Sequence, residues 1–242
     1  MPKRWNMLEN NPEVMNHLAY SLGLSKKLAF YDIYSFTDQD LLSFIPRPVY
    51  ALLVIIPLTP KWDEERKNED KDKPEYAGKG AEEPVIWFKQ IIGNACGSYG
   101  LVHCVLNNPE AAQLIQPDST LDRIRKEALD KTIWDRAKVL EDSDAFEQAH
   151  FEAVKLSETT VPTIADDKEG GHFVAFVKGR DGHLWELEGG RKGPLDRGEL
   201  GEDEDLLSEK VVERALGGVM RILAEEGGNL RFSAIALAEN LE

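Results

Sequence analysis

The stretch from Pro84 to Asn107 constrains the fold of this chain more tightly than any other. Its apolar run, Val85 to Phe88, is too short for a stable helix and predicts a buried strand. Leu101, Cys104 and Val105 then follow at i, i+3 and i+4, the spacing of a helix face. Asn107-Asn108-Pro109 stops that helix, since proline cannot continue it. Between strand and helix lie Gln90, Gly93, Asn94 and Cys96. With Asn94 as N-cap, Cys96 falls at the second helical position, where its backbone N–H has no acceptor inside the helix. The positive end of the helix dipole beside its sulfur favours thiolate over thiol. The same N–H can face an oxyanion growing on a substrate carbonyl, with Gln90 as a second donor. One short segment thus offers a nucleophile, an activating field and half an oxyanion hole. The alternative for Cys96 is a small buried hydrophobe, the usual fate of a free cysteine and the one expected for Cys104.

Composition narrows the setting. A 42% hydrophobic fraction over 242 residues supports a substantial core. Two cysteines are too few for a disulfide framework, and both lie in one apolar helix, which points to a reducing compartment such as the cytoplasm or nucleus. No apolar segment follows the basic N-terminal residues, and the longest apolar run, Val49 to Leu58, is too short to span a membrane. Acidic residues outnumber basic ones 44 to 29, a net charge of −15. That balance argues against a nucleic-acid backbone as partner and favours a basic protein surface.

Along the chain, Asn11-Pro12 reads as a helix start, with Val14, Met15, Leu18 and Leu22 on one face and Gly23 as the stop. Ala29 to Tyr34 reads as a strand, Asp38 to Phe44 as a short helix and Val49 to Leu58 as a buried strand. Residues 61–83, rich in both charges, read as a solvated, flexible loop. Leu121 to Leu129 and Ile133 to Val154 read as helices. Residues 155–171 show no periodicity and read as a long lid or binding loop. His172 to Lys178 and His183 to Glu188 alternate as strands around the turn Gly179 to Gly182. Leu206 to Ala224 reads as an amphipathic helix and Leu230 to Ala238 as a final strand. The whole is α+β in one domain, residues 1–242.

A thiolate nucleophile needs a base, normally histidine, held by an acceptor. Of five histidines, His17 and His150 lie on helices with surface roles expected, and His183 flanks a turn. His103 lies two turns along the Cys96 helix, about 10 Å away along the axis and out of reach of the thiol proton. His172 begins a strand next to the long loop, where a site is accessible. If Val177 pairs with His183, His172 pairs with Glu188, whose carboxylate can take the Nδ1 proton and leave Nε2 facing the cysteine. A two-residue turn at Asp181-Gly182 instead places Arg191 opposite His172. Glu186, on the same strand face as Glu188, is the second candidate acceptor.

These residues resemble the ubiquitin C-terminal hydrolases of the small, single-domain type, a family of cysteine peptidases. Arg4-Trp5, Leu8-Glu9 and Asn11-Pro12-Glu13 resemble the family's N-terminal arm and first helix. Leu41 to Val49 resembles its Leu-Leu-x-x-x-Pro-Arg-Pro-Val segment. Lys89-Gln90, Asn94 to Gly97 and Gly100-Leu101 resemble its nucleophile motif. His172-Phe173, Gly182 to Leu187 and Arg231 to Leu237 resemble its histidine, return and closing strands. The resemblance implies a papain-like core with a central, mostly antiparallel sheet, flanking helices and a knotted backbone. It implies Cys96 as nucleophile, His172 as general base and acid, and Gln90 as oxyanion donor. It implies a crossover loop at 152–171 that restricts large folded adducts, and contacts to ubiquitin from Glu9 and Asp32, with Asn94 also placed at the substrate site. Where the family carries aspartate after Glu-Leu, this chain has Glu188, followed by Gly189-Gly190.

Two classes of function follow. One is a thiol hydrolase that cleaves small or unstructured adducts from the terminal glycine of ubiquitin, or of a ubiquitin-like modifier. The other is a catalytically weak protein that binds and buffers ubiquitin, supported by the change to Glu188. No metal-ligand spacing, phosphate loop or dinucleotide motif occurs, so no cofactor is expected, and a monomer suffices.

Overall fold

The computed structural model describes residues 3–157, 171–225 and 232–241. Helix α1 (Pro12–Leu22) starts where Asn11 accepts the Val14 N–H at 2.9 Å, as its sequence predicts, and buries Val14, Met15, Leu18 and Leu22. Strand β1 (Leu28–Asp32), the four-residue helix α2 (Gln39–Leu42) and strand β2 (Ala51–Pro57) follow. Helix α3 (Pro60–Asp70) corrects the expectation of a loop over 61–83. Thr59 caps its Trp62 N–H, Pro60 opens it, and Asp63 pairs with Lys67 one turn on. Its acidic end is then fastened to a distant part of the chain: Arg191 bonds Glu69 and Asp70 at 2.5 and 2.9 Å, and Arg197 bonds Glu69 at 2.6 Å. Charge that looked solvated is therefore matched across the fold. Residues 73–79 do lack regular structure.

The apolar run Val85–Phe88 is buried but is not a strand. Its backbone is satisfied by side chains instead. Asn107 accepts the Ile86 N–H at 2.5 Å and donates to the Ile86 carbonyl at 3.0 Å. His103 Nε2 accepts the Phe88 N–H at 3.0 Å, and Arg136 donates to the Trp87 carbonyl at 3.2 Å. Arg136 is itself fully buried in a pair with Glu83 at 2.6 Å. Buried backbone groups need partners, and here two side chains of the next helix and one from a third supply them in place of a strand ladder.

That next helix, α4 (Cys96–Asn107), is buried along its length. Helices α5 (Pro109–Gln113), α6 (Thr120–Ala128), α7 (Ile133–Glu141) and α8 (Asp144–Val154) follow. The continuous helix expected over 133–154 breaks at Asp142, because Ser143 caps the Phe146 N–H and starts a new one. Strands β3 (Gly171–Lys178) and β4 (His183–Leu187) form the expected hairpin, and β5 (Leu195–Glu199), which was not anticipated, lies beyond them. Helix α9 (Glu209–Glu225) and strand β6 (Ser233–Glu239) complete the fold.

The strands make one six-stranded antiparallel sheet in the order β1-β6-β2-β3-β4-β5. Alternation along the strands divides the core. Leu53, Ala175, Val177 and Ile235 face α1 and α4, whereas Leu52, Val54, Val174 and Phe176 face α9 and Trp62. The β3–β4 register is Ala175 opposite Leu187 and Val177 opposite Trp185. Neither expected register, Glu188 or Arg191 opposite His172, is correct. The turn is tighter than the first register assumes: Gly179 N–H donates to His183 O at 2.9 Å, and Asp181 accepts the His183 N–H and the Trp185 indole N–H, both at 3.1 Å. The shift from the first register is two residues, which keeps every side chain on its expected face.

Asn107→Ala orphans both polar groups of Ile86 in the core. We predict a loss of about 2–4 kcal/mol of unfolding free energy by urea titration, from two unsatisfied buried groups.

Candidate active site

Sheet topology gathers the site at one end. The first residues of β3 pair with the last of β2, Ile56 opposite His172, and the end of β4 runs alongside. Helix α4 packs under β2 and β3 and brings its N-terminus to the same end. Cys96 is the first helical residue, not the second, and Ala95 rather than Asn94 precedes it as the cap residue. Asn94 instead adopts a left-handed turn at φ 61°, one of the few non-glycine types that does so readily, and caps nothing. The Cys96 N–H still belongs to the four without an acceptor in the helix. Gly93, just before the turn, is held by the N-terminal arm: its N–H donates to Lys3 O and its carbonyl accepts the Trp5 N–H, both at 2.9 Å.

Cys96 is 8% exposed. Burial alone would raise its thiol, but hydrogen bonds from the His172 ring and from the Phe173 and Gly97 backbone N–H groups outweigh it and lower the pKa. Burial alone would lower His172, yet Glu188 and Cys96 bring it up to about 10. Burial would raise Glu188, yet His172 and Arg66 hold it at about 2. His172 is thus an imidazolium and Glu188 a carboxylate, and the imidazolium beside the sulfur favours the thiolate. Cys104, wholly enclosed in apolar surroundings, is pushed the other way and stays a thiol.

His172 Nε2 bonds Glu188 Oε1 at 2.6 Å, which leaves Nδ1 for the sulfur. This reverses the ring assignment expected from the sequence. The carboxylate also accepts the Gly190 N–H at 2.6 Å on the same oxygen and Arg66 Nη1 at 2.8 Å on the other. Glu186, the second candidate acceptor, is taken up by Arg197 at 2.6 Å and Arg191 at 3.4 Å. Gln90 Nε2 gives one hydrogen to Ile92 O at 3.0 Å, which fixes the amide orientation and leaves a second hydrogen. Gln90 is held against the acid-bearing turn, its N–H donating to Gly189 O at 2.8 Å. A Cβ on Gly189 would lie 2.7 Å from Gln90 Cβ, so only glycine allows this approach.

The remaining residues separate cleanly. Asp32 ends β1 at the sheet end that carries His172, with its carboxyl raised by burial. Glu9 accepts from Asn11 at 2.9 Å, and its neighbour Asn10 donates to Leu53 O and Ser233 O at the same sheet end. His103 does not reach the thiol; burial lowers it to about 3, so it is neutral and serves the Phe88 backbone. His150 is not a surface residue. It is buried, accepts or donates to Ser98 Oγ at 2.8 Å and Asn6 O at 3.0 Å, and burial lowers it to about 4. Of the expected crossover loop at 152–171, residues 152–154 belong to α8 and 158–170 lie outside the described residues. Arg66 and the Gly190 N–H carry no local sequence signal for the site, and the charged pattern around Arg66 reads as a loop where the structure has α3. Among the described residues, no three His, Cys, Asp or Glu side chains are grouped to hold a metal. No helix among them is long and apolar enough to cross a membrane.

Comparison with known proteins agrees with this geometry. Residues 5–220 match the profile of ubiquitin carboxyl-terminal hydrolase, family 1. The chain belongs to that family. It is 35% identical over 98% of its length to ubiquitin carboxyl-terminal hydrolase 3 of Arabidopsis thaliana, covering 95% of that protein. It is 34% identical to the human isozyme L1 over 96% of its length and 97% of the relative's. Its fold matches the Trichinella spiralis UCH37 catalytic domain bound to ubiquitin vinyl methyl ester, with a TM-score of 0.71 at 19% identity. That match covers 98% of this chain and 96% of the other.

A family member with this ion pair should alkylate at Cys96 where ordinary thiols do not. We predict that iodoacetamide labels Cys96 faster than an ordinary thiol at about pH 7, with the rise of its labelling rate moved to lower pH, while Cys104 stays unlabelled. In His172→Ala the lowering partner is gone and burial remains, so labelling slows and falls further as pH drops, read by mass spectrometry.

Proposed function

We propose that this protein is a thiol-dependent deubiquitinating hydrolase that releases small or unstructured adducts from the C-terminal glycine of ubiquitin. The observation that carries the reading is the buried Cys96–His172–Glu188 line, with Gln90 beside it, in a chain of this family. The Cys96 thiolate attacks the terminal glycine carbonyl. The resulting oxyanion takes the Cys96 backbone N–H and the free hydrogen of Gln90 Nε2. His172, already protonated, gives its proton to the departing amine or alcohol as the tetrahedral intermediate collapses to a thioester. It then takes a proton from the attacking water and keeps it as the second tetrahedral intermediate expels the thiolate, which restores the ion pair; the carboxylic acid so released loses its proton to solvent.

Glu188 holds the ring and stabilises the imidazolium through both steps. The departure from aspartate was the support for a weak, buffering protein, and a carboxylate 2.6 Å from the ring removes that support. Asp32 and Glu9, at the end of the sheet that bears His172, offer acidic contacts to the basic surface of ubiquitin. The limit to small adducts follows the family relation. Cytoplasm and nucleus are the compartments proposed for it, in line with two unpaired thiols.

Hydrolysis of a fluorogenic ubiquitin C-terminal amide tests the reading. Wild type is expected to turn over and Cys96→Ala to show none. Glu188→Ala is expected to lower kcat by a factor of about ten to a thousand while KM stays within about twofold, because the acid touches the ring and not the substrate. A folded, reduced wild type without turnover rejects the proposal.

A further inference from the structure

We propose that Arg66 is a positioning residue that, together with Gly190, allows a glutamate to serve as the orienting acid in this enzyme; this rests on the hydrolase reading above. Glutamate carries one more rotatable bond than aspartate, so its carboxylate can swing away from the imidazole unless its far oxygen is held. In this structure the work is divided between the two oxygens. Oε1 receives His172 Nε2 and the Gly190 N–H, each at 2.6 Å, and Oε2 receives Arg66 Nη1 at 2.8 Å. The Glu188 side chain has 0% exposure, so its charge is met by these partners and not by solvent.

Arg66 is in turn fixed before it reaches the acid. Its other terminal nitrogen bonds Asp63 at 3.0 Å, one turn back on α3. Its guanidinium carbon sits 5.0 Å from the Trp62 ring, and that ring lies 6.0 Å from the His172 ring. Helix α3 therefore presents an aromatic ring to the base and a cation to the acid from one turn. Gly190 completes the clamp by what it lacks. A Cβ there would stand 2.7 Å from Glu188 Oε1 and 3.4 Å from Arg66 Nη1. The second glycine in Gly189-Gly190 thus makes room for the longer acid and its cation.

Charge argues the same way. Thiolate, imidazolium and carboxylate together leave one negative charge out of water, and Arg66 cancels it. Without Arg66, Glu188 gains proton affinity and becomes neutral at higher pH, and a neutral acid no longer holds the imidazolium. Arg66 also lines a cavity of about 540 Å³ between α3 and α9, with Trp62, Glu69 and Ile222 on its walls. A small cation can enter the space that a truncated Arg66 would leave.

The test is steady-state hydrolysis of the ubiquitin amide by wild type, Arg66→Ala, Arg66→Gln, Arg66→Lys and Gly190→Ala. For Arg66→Ala the expected result is kcat lower by about ten- to a hundredfold. KM should stay within about twofold, and the acid limb of the pH profile should move upward. Guanidinium at tens of millimolar restores part of the loss in Arg66→Ala and none in Glu188→Ala. Gly190→Ala lowers kcat with KM unchanged. A folded Arg66→Ala with wild-type kcat and pH profile overturns the proposal. So does a lost kcat with an unmoved acid limb and no response to guanidinium, which would mark a purely structural role. If Arg66→Ala does not fold, Arg66→Gln decides: it keeps much of the side-chain volume without the charge, so an unmoved acid limb there overturns the clamp, while Arg66→Lys, which keeps the charge, should retain the wild-type limb. Absence of turnover in wild type would reject the hydrolase reading alone. The clamp would then be read from the pH dependence of Cys96 alkylation, which needs no substrate and must shift upward in Arg66→Ala.

Discussion

A carboxylate without solvent contact must be held by charge and hydrogen bonds or give up its ionisation. Glu188 is such a group, and much of the molecule meets at it. His172 reaches it from β3, the Gly190 N–H from the turn after β4, and Arg66 from α3. Its backbone carbonyl accepts the Trp87 indole N–H at 3.2 Å. Three separate segments are thus tied to the turn that carries this residue. Through His172 the tie extends to Cys96 at the head of α4, so the ionisation of the nucleophile depends on a carboxylate it does not touch.

The segment leading to the nucleophile has its own solution to the same constraint. Residues 85–88 are buried without regular secondary structure, and polar groups of Ile86, Trp87 and Phe88 are met by Asn107, Arg136 and His103. A ladder would have tied this segment to the sheet. Side-chain partners tie it to α4 and α7 instead, and so fix Gln90 relative to Cys96. Gly189 lets the acid-bearing turn close on the same segment. Gln90, Cys96 and Glu188 are therefore set against one another by buried hydrogen bonds.

The legible part of the sequence was what local pattern encodes. Asn11-Pro12, the apolar face of α1, the run at β2 and the alternation in β3 and β4 each contain their own signal. Cys96, His172, Glu188 and Gln90 could be named because local chemistry marked them as candidates and the motifs around them resemble those of a known family. The failures share a cause, which is pairing at long range. Residues 61–70 read as solvated charge because Arg191 and Arg197 are more than a hundred positions away. Val85–Phe88 read as a strand because nothing local shows that Asn107 will satisfy it. His150 read as exposed because its partners, Ser98 and Asn6, lie on other elements. The hairpin register failed by two residues because the Asp181 side chain reshapes the turn, and a shift of two left the catalytic face intact.

The central claim is that the buried, ionised Glu188 keeps His172 protonated beside a thiolate. Nitrogen-15 NMR of the His172 ring across pH, in wild type and Glu188→Gln, tests it most directly. The account predicts both ring nitrogens protonated at about pH 8 in wild type, well above the ordinary histidine range, with the proton lost at lower pH in Glu188→Gln. A neutral His172 ring at that pH in the wild-type protein would contradict it.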